Sequence, residues 1–116
     1  MPRKLGTDCG MESTHKLRKI FQRGDTSKPA CGRRMRIIRK LTPDTIAERA
    51  EKMGTTTNNL QSMETGASWP SPRFQGWILD NTPIDANFIV AGEYRTLSYE
   101  VVEKLTEAAR EVPYNK

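Results

Sequence analysis

The stretch from Ile46 to Thr65, IAERAEKMGTTTNNLQSMET, restricts the fold of this chain more than any other, because its few constrained positions fall where two helices crossing at a tight turn need them. Ala50 is small, Gly54 follows four residues later, and Leu60 and Met63 return at helical spacing. In such a pair the first helix must let the second come close, which favours alanine at the crossing. Its end must then turn sharply, which favours glycine in a left-handed conformation. Ile46, Ala50 and Met53 line one apolar stripe, and Leu60 with Met63 lines the other. Sliding the frame back by three residues puts Ala47 at the crossing, but also Glu51 at the turn and Thr57 in the core, and fits less well.

The flanking segments extend the helical pattern. Residues 1–12 mix proline, glycine and charge without periodicity and read as unstructured. Leu17, Ile20 and Phe21 fall at helical spacing behind Ser13, giving a short basic amphipathic helix. Gly24 to Gly32 reads as a linker, broken by Pro29 and Gly32. A helix from about Arg33 to Lys40 turns Met35 and Ile38 inward. Thr42 can cap the next helix, with Pro43 at its first position. Beyond the central pair, Pro70 and Pro72 mark a loop. A fourth helix over Arg73 to Asp80 then buries Phe74, Trp77 and Ile78, and Asp85 to Val90 forms a short fifth, where Phe88, Ile89 and Ala91 add apolar area. Ser98 can cap a last helix, Tyr99 to Glu111, whose Val102, Leu105 and Ala109 share a face. That stripe either completes the core or pairs with a second copy, and the sequence leaves both open. The expected organisation is all-α: a basic, largely flexible extension over 1–32 that carries little of the core, a helical domain over 33–97, and a C-terminal helix and tail over 98–116.

From about Met35 to Leu97 the chain resembles the phage-repressor and Cro family of helix-turn-helix proteins, often called the XRE family. The carrying residues are LTPDTIAERAEKMG, the Thr-rich segment ending METG, then SWPSP, and IDANFIVAGE with Leu97 just beyond. The resemblance implies a lambda-repressor-like DNA-binding domain of five short helices, with GASWPS as the link out of the recognition helix. It also implies a transcriptional regulator, by preference a repressor, acting as a homodimer on a palindromic operator. Two positions depart from the family pattern: Arg49 stands where an apolar residue is usual, and Ile46 where a polar, phosphate-contacting residue is common.

In that frame Thr56, Thr57, Asn58, Asn59, Gln61, Ser62 and Thr65 face a major groove, with Thr57, Asn58 and Ser62 foremost. Hydroxyl and amide side chains suit base edges because they donate and accept, and Asn or Gln can pair with adenine in two places. The plainer reading is an ordinary polar surface on a helix used for protein contact, and Thr57-Asn58-Asn59 also suits a cap or turn, which would start the helix later. Residues 1–40 hold twelve basic and three acidic side chains, net +9, and the remainder seven basic and eleven acidic, net −4, which together recover the +5 of the chain. Any field attracting phosphate is therefore concentrated in the N-terminal third, with Arg33, Arg34 and Arg36 as its contacts nearest the motif. The negative remainder, and the lack of Lys or Arg from Gly54 through Pro72, favour a rival: an adaptor module on the same fold that has lost DNA binding. Binding of RNA through the basic arm is a third reading.

Other chemistries find little support. Cys9, His15 and Cys31 are too widely spaced for structural zinc and lack a fourth ligand, so both cysteines read as free thiols. There is one histidine, no phosphate-binding Gly-Lys loop and no nucleophile elbow, which argues against an enzyme and names no cofactor or small-molecule substrate. Glu100, Glu103, Glu107 and Glu111 read as one solvated helix face, not a carboxylate cluster. Trp77 belongs in the core, and Trp69, beside Pro70, reads as a lid over it. A hydrophobic content of 35% and a mean hydropathy of −0.71 leave a small core and no membrane span, and the N-terminus lacks an apolar signal region, so a cytoplasmic protein is expected.

Overall fold

Six of the described helices begin at a side chain that accepts a hydrogen bond from a free backbone amide. The structure, a computed structural model, describes residues 14–115, all-helical with no strand among them. The readings of residues 1–12 as unstructured, of Ser13 as a cap and of Cys9 as a free thiol lie outside that range. The helices are α1 (Thr14–Ile20), α2 (Lys28–Arg39), α3 (Ile46–Met53), α4 (Thr57–Thr65), α5 (Pro72–Asn81), α6 (Ala86–Ala91) and α7 (Tyr99–Ala109). Ser27, Thr56, Ser71, Asp85 and Ser98 cap α2, α4, α5, α6 and α7, each accepting from an amide three residues on. The cap of α3 is Thr45, not Thr42: Thr45 and Glu48 form a reciprocal capping box, and Pro43 lies outside the helix.

The expected close pair is present. α3 ends on Gly54 in the left-handed region, at φ 71°. There Thr55 N–H reaches back to the Ala50 carbonyl and Gly54 N–H to Glu51, closing the helix so that α4 can start three residues later. Ala50, Met53, Leu60 and Met63 are buried, as that register requires.

α2 differs from its expected form and occupies the centre. It starts at Lys28, packs against α4, α6 and α7, and takes in the second half of the segment read as a linker. Pro29 stands in its first turn, where a missing amide proton does no harm. Gly32 lies mid-helix at the approach of α4: a Cβ there would sit 2.4 Å from the Met63 carbonyl oxygen and 2.7 Å from that of Glu64. Glycine is required here by contact and not by backbone angle. In a free helix Gly32→Ala would stabilise by about 0.5–1 kcal/mol. Here the two backbones must part, and a net loss of about 1–3 kcal/mol is expected. Thermal denaturation followed by circular dichroism should show the melting temperature falling by roughly 5–20 °C; an unchanged melt would mean that α2 and α4 do not approach so closely.

The core does not divide at residues 32 and 97. Leu17 and Phe21 of the supposed flexible extension are buried in one apolar cluster with Met35, Ile38, Phe74, Ile78, Phe88 and, from the C-terminal segment, Val102, Leu105, Ala109 and Val112. The Phe21 ring meets Phe88 edge-on at 5.2 Å between centroids. The α7 stripe thus completes the core, while Glu100, Glu103, Glu107 and Glu111 stand exposed.

Two arginines tie the outer helices to α2. Arg34, fully buried, donates to five backbone carbonyls: Phe21 and Gln22 just after α1, Asp25 in the next turn, and Ile89 and Val90 at the end of α6. Arg33, also buried, donates to Ile20 at the end of α1 and to Ala109 and Val112 at the end of α7, with the Tyr114 ring 4.2 Å from its guanidinium. Helix C-termini carry partial negative charge and unpaired carbonyls, so a guanidinium suits them without a carboxylate partner. Burial pulls both guanidinium pKa values below their ordinary range, opposed mainly by Tyr114 at Arg33 and by Cys31 at Arg34.

Candidate functional site

The outward face of α4 is polar and almost free of charge. Thr56, Thr57, Asn58, Asn59, Gln61 and Thr65 are exposed and Ser62 is half-buried, so the structure gathers all seven motif residues named from the sequence on one helix and its cap. They are not equivalent. Thr56 is the N-cap, its hydroxyl accepting from Asn59 N–H at 3.1 Å, and the Asn59 amide donates to the Thr55 hydroxyl at 3.3 Å. Those two side chains are occupied in starting the helix, which begins at Thr57 with no delay. Asn58 and Gln61 make no side-chain hydrogen bond within the described residues.

Glu64, the one charged residue of α4, points away from that face. It is 2% exposed, and its carboxylate accepts from Arg39 through Nε at 2.8 Å and Nη2 at 3.0 Å. Sequence reasoning missed this pair; the available signal was that Glu64 lies one turn beyond Leu60, on the apolar side of the helix.

Two cations stand at the ends of α4, neither among the residues named from the sequence. Arg73, at the start of α5, donates to the Gly54 carbonyl at 2.8 Å and lines an open cleft of about 500 Å³ with Gly54, Thr55, Thr56, Asn59 and Ser71. Beyond the other end, Lys28 Nζ lies 5.8 Å from the centre of the Trp69 ring. Trp69 is 54% exposed, which corrects its reading as a lid; Trp77 is half-buried against the core. The Arg49 guanidinium is buried 4.7 Å over Trp77 and paired with Asp44 at 3.2 Å. A charged side chain is thereby held within the fold by an ion pair and a ring face. Asp44 is held below the usual carboxylate range by its bonds to Lys52 and then Arg49.

The arginines assigned to phosphate need correcting. Arg33 and Arg34 are consumed by carbonyls inside the fold and offer no surface to a phosphate. Arg36 is half-buried and donates to Pro113 O and Asn115 Oδ1, both at 2.9 Å. Asn115 in turn donates to the carbonyls of Pro29 and Glu64, and the Tyr114 hydroxyl to that of Lys19, so residues 113–115 form a strap joining α1, α2 and the end of α4. Cys31 is buried with its thiol toward the Val90 carbonyl at 3.4 Å, and burial pushes its pKa up.

Comparison with protein-family models, with curated proteins and with solved structures found no match for this chain. No described helix is long and apolar enough to cross a membrane.

Proposed function

We propose that α2 to α6 form a lambda-repressor-like helix-turn-helix domain, with α3 and α4 as the motif and α1 and α7 as additions, and that the protein binds duplex DNA sequence-specifically as a transcriptional regulator. The observation that carries the reading is the α4 face: hydrogen-bonding side chains stand out from a helix of nine residues whose other side is locked into the core. A helix presented in this way fits the major groove, and its amides and hydroxyls suit base edges. Arg73 and Lys28, flanking the face, are the cations best placed for phosphates on either side. A homodimer on a palindromic operator follows from the family resemblance.

One observation favours the adaptor reading instead. Among the described residues, with Arg33 and Arg34 buried and Arg39 paired to Glu64, few cations stand beside α4 to attract phosphate non-specifically.

Selection from a random duplex pool, with an RNA pool in parallel, separates the readings. The regulator reading expects a duplex consensus whose affinity falls with salt at a log–log slope of roughly 0.9 for each phosphate contact. Enrichment of RNA alone, or of nothing, would overturn it.

A further inference from the structure

We propose that the α4 face selects adenine–thymine base pairs, an inference that rests on the duplex-DNA reading above. Asn58, Gln61, Ser62 and Thr65 recur at helical spacing and share one face, opposite Leu60 and Met63. What such a face reads depends on its donors and acceptors. In the major groove guanine shows two acceptors and is matched by Arg or Lys, which only donate. Cytosine shows a donor and is matched by Asp or Glu, which only accept. Adenine shows one of each, and a carboxamide, which both donates and accepts, meets it in two places.

α4 lacks what guanine and cytosine prefer. It contains no Lys or Arg, and its single carboxylate, on Glu64, is turned inward onto Arg39. Arg73 is held at the Gly54 carbonyl and Lys28 lies over Trp69, both beyond the ends of the helix. Of the three carboxamides, Asn59 is spent on Thr55. Asn58 and Gln61 remain, three residues apart, each able to meet one adenine. The methyl groups of Thr57 and Thr65 suit the thymine methyl, which lines the same groove.

The test uses the full chain and the duplex recovered from the random pool. Each adenine in the consensus is replaced in turn by 7-deaza-adenine, which keeps base pairing but removes the N7 acceptor. The expected result is an A·T-rich half-site in which replacement at two adenines weakens binding about fivefold to tenfold, as for loss of one bond of a two-bond contact. Asn58→Ala should abolish the sensitivity at one of these adenines and Gln61→Ala at the other, with unchanged melting temperatures, since both positions are exposed. A consensus with G·C at the contacted positions would overturn the inference and leave duplex binding standing. So would an A·T consensus indifferent to 7-deaza-adenine, because it would be read by groove shape. Failure to recover any duplex would overturn the functional reading itself, and this inference with it.

Discussion

Removing residues 1–27 leaves a chain that is expected not to fold. Leu17 and Phe21 would be lost from the core, each contributing about 1.5–3 kcal/mol by burial alone. The loss would not stop at apolar area. The carbonyls of Ile20, Phe21, Gln22 and Asp25 take hydrogen bonds from Arg33 and Arg34, so truncation would strand two guanidinium groups inside the protein with part of their partners gone. An uncompensated buried charge costs several kcal/mol, and a domain of this size has about 5–15 kcal/mol in total. Far-ultraviolet circular dichroism and proton spectra of the truncated chain should show loss of helix and of dispersed methyl signals. A truncated protein that melts cooperatively near the parent temperature would show that residues 14–27 are an appendage, as the reading of 1–32 as an extension carrying little of the core implies.

Arg34→Ala is expected to be nearly as damaging. The substitution takes donors from five carbonyls at once and opens a cavity among α1, α2 and α6. A buried carbonyl left without a partner costs about 1–3 kcal/mol, and water entering the cavity recovers part of that, so a net loss of about 4 kcal/mol or more is expected. The chain should be largely unfolded at 37 °C. Arg34→Lys should not rescue it, because one ammonium with three donors cannot reproduce the planar fork that spans two helix ends. Chemical denaturation measures the change directly. An Arg34→Ala protein of parent stability with weakened DNA affinity would restore Arg34 to the surface role its charge first suggests.

Where the sequence alternates apolar and polar residues at helical spacing between recognisable caps, it is legible. α5 through α7 lie within one or two residues of the expected spans, where Ser71, Asp85 and Ser98 cap the starts and Gly92 closes α6. α2 is the instructive exception. Pro29 and Gly32 read as breaks, yet proline is harmless in a first turn, and Gly32 is demanded by Met63 and Glu64, 31 and 32 residues away. The register of α2 thus depends on a contact that no local window contains. Arg33 and Arg34 misled for a related reason: charge implies exposure on average, while here the partners are backbone carbonyls, which leave no mark in a residue pattern. The α4 face was legible as a set, because outward polar residues interleave with Leu60 and Met63. Its internal ranking was not, since only the geometry separates Asn59, bonded to Thr55, from Asn58.

The strap of residues 113–115 bears on how the fold is completed in time. A ribosome delivers the chain from its N-terminus, so α1 and α2 emerge long before the residues that close over them. Arg33 must wait for the carbonyls of Ala109 and Val112, and Arg36 for Pro113 and Asn115, across 76 to 79 residues of chain. Loop closure of that span adds only about 0.6 kcal/mol per doubling of length, a small charge on stability. It is a large one on order of events: until residues 109–115 have left the exit tunnel, the nascent protein carries its most buried helix with one flank uncovered.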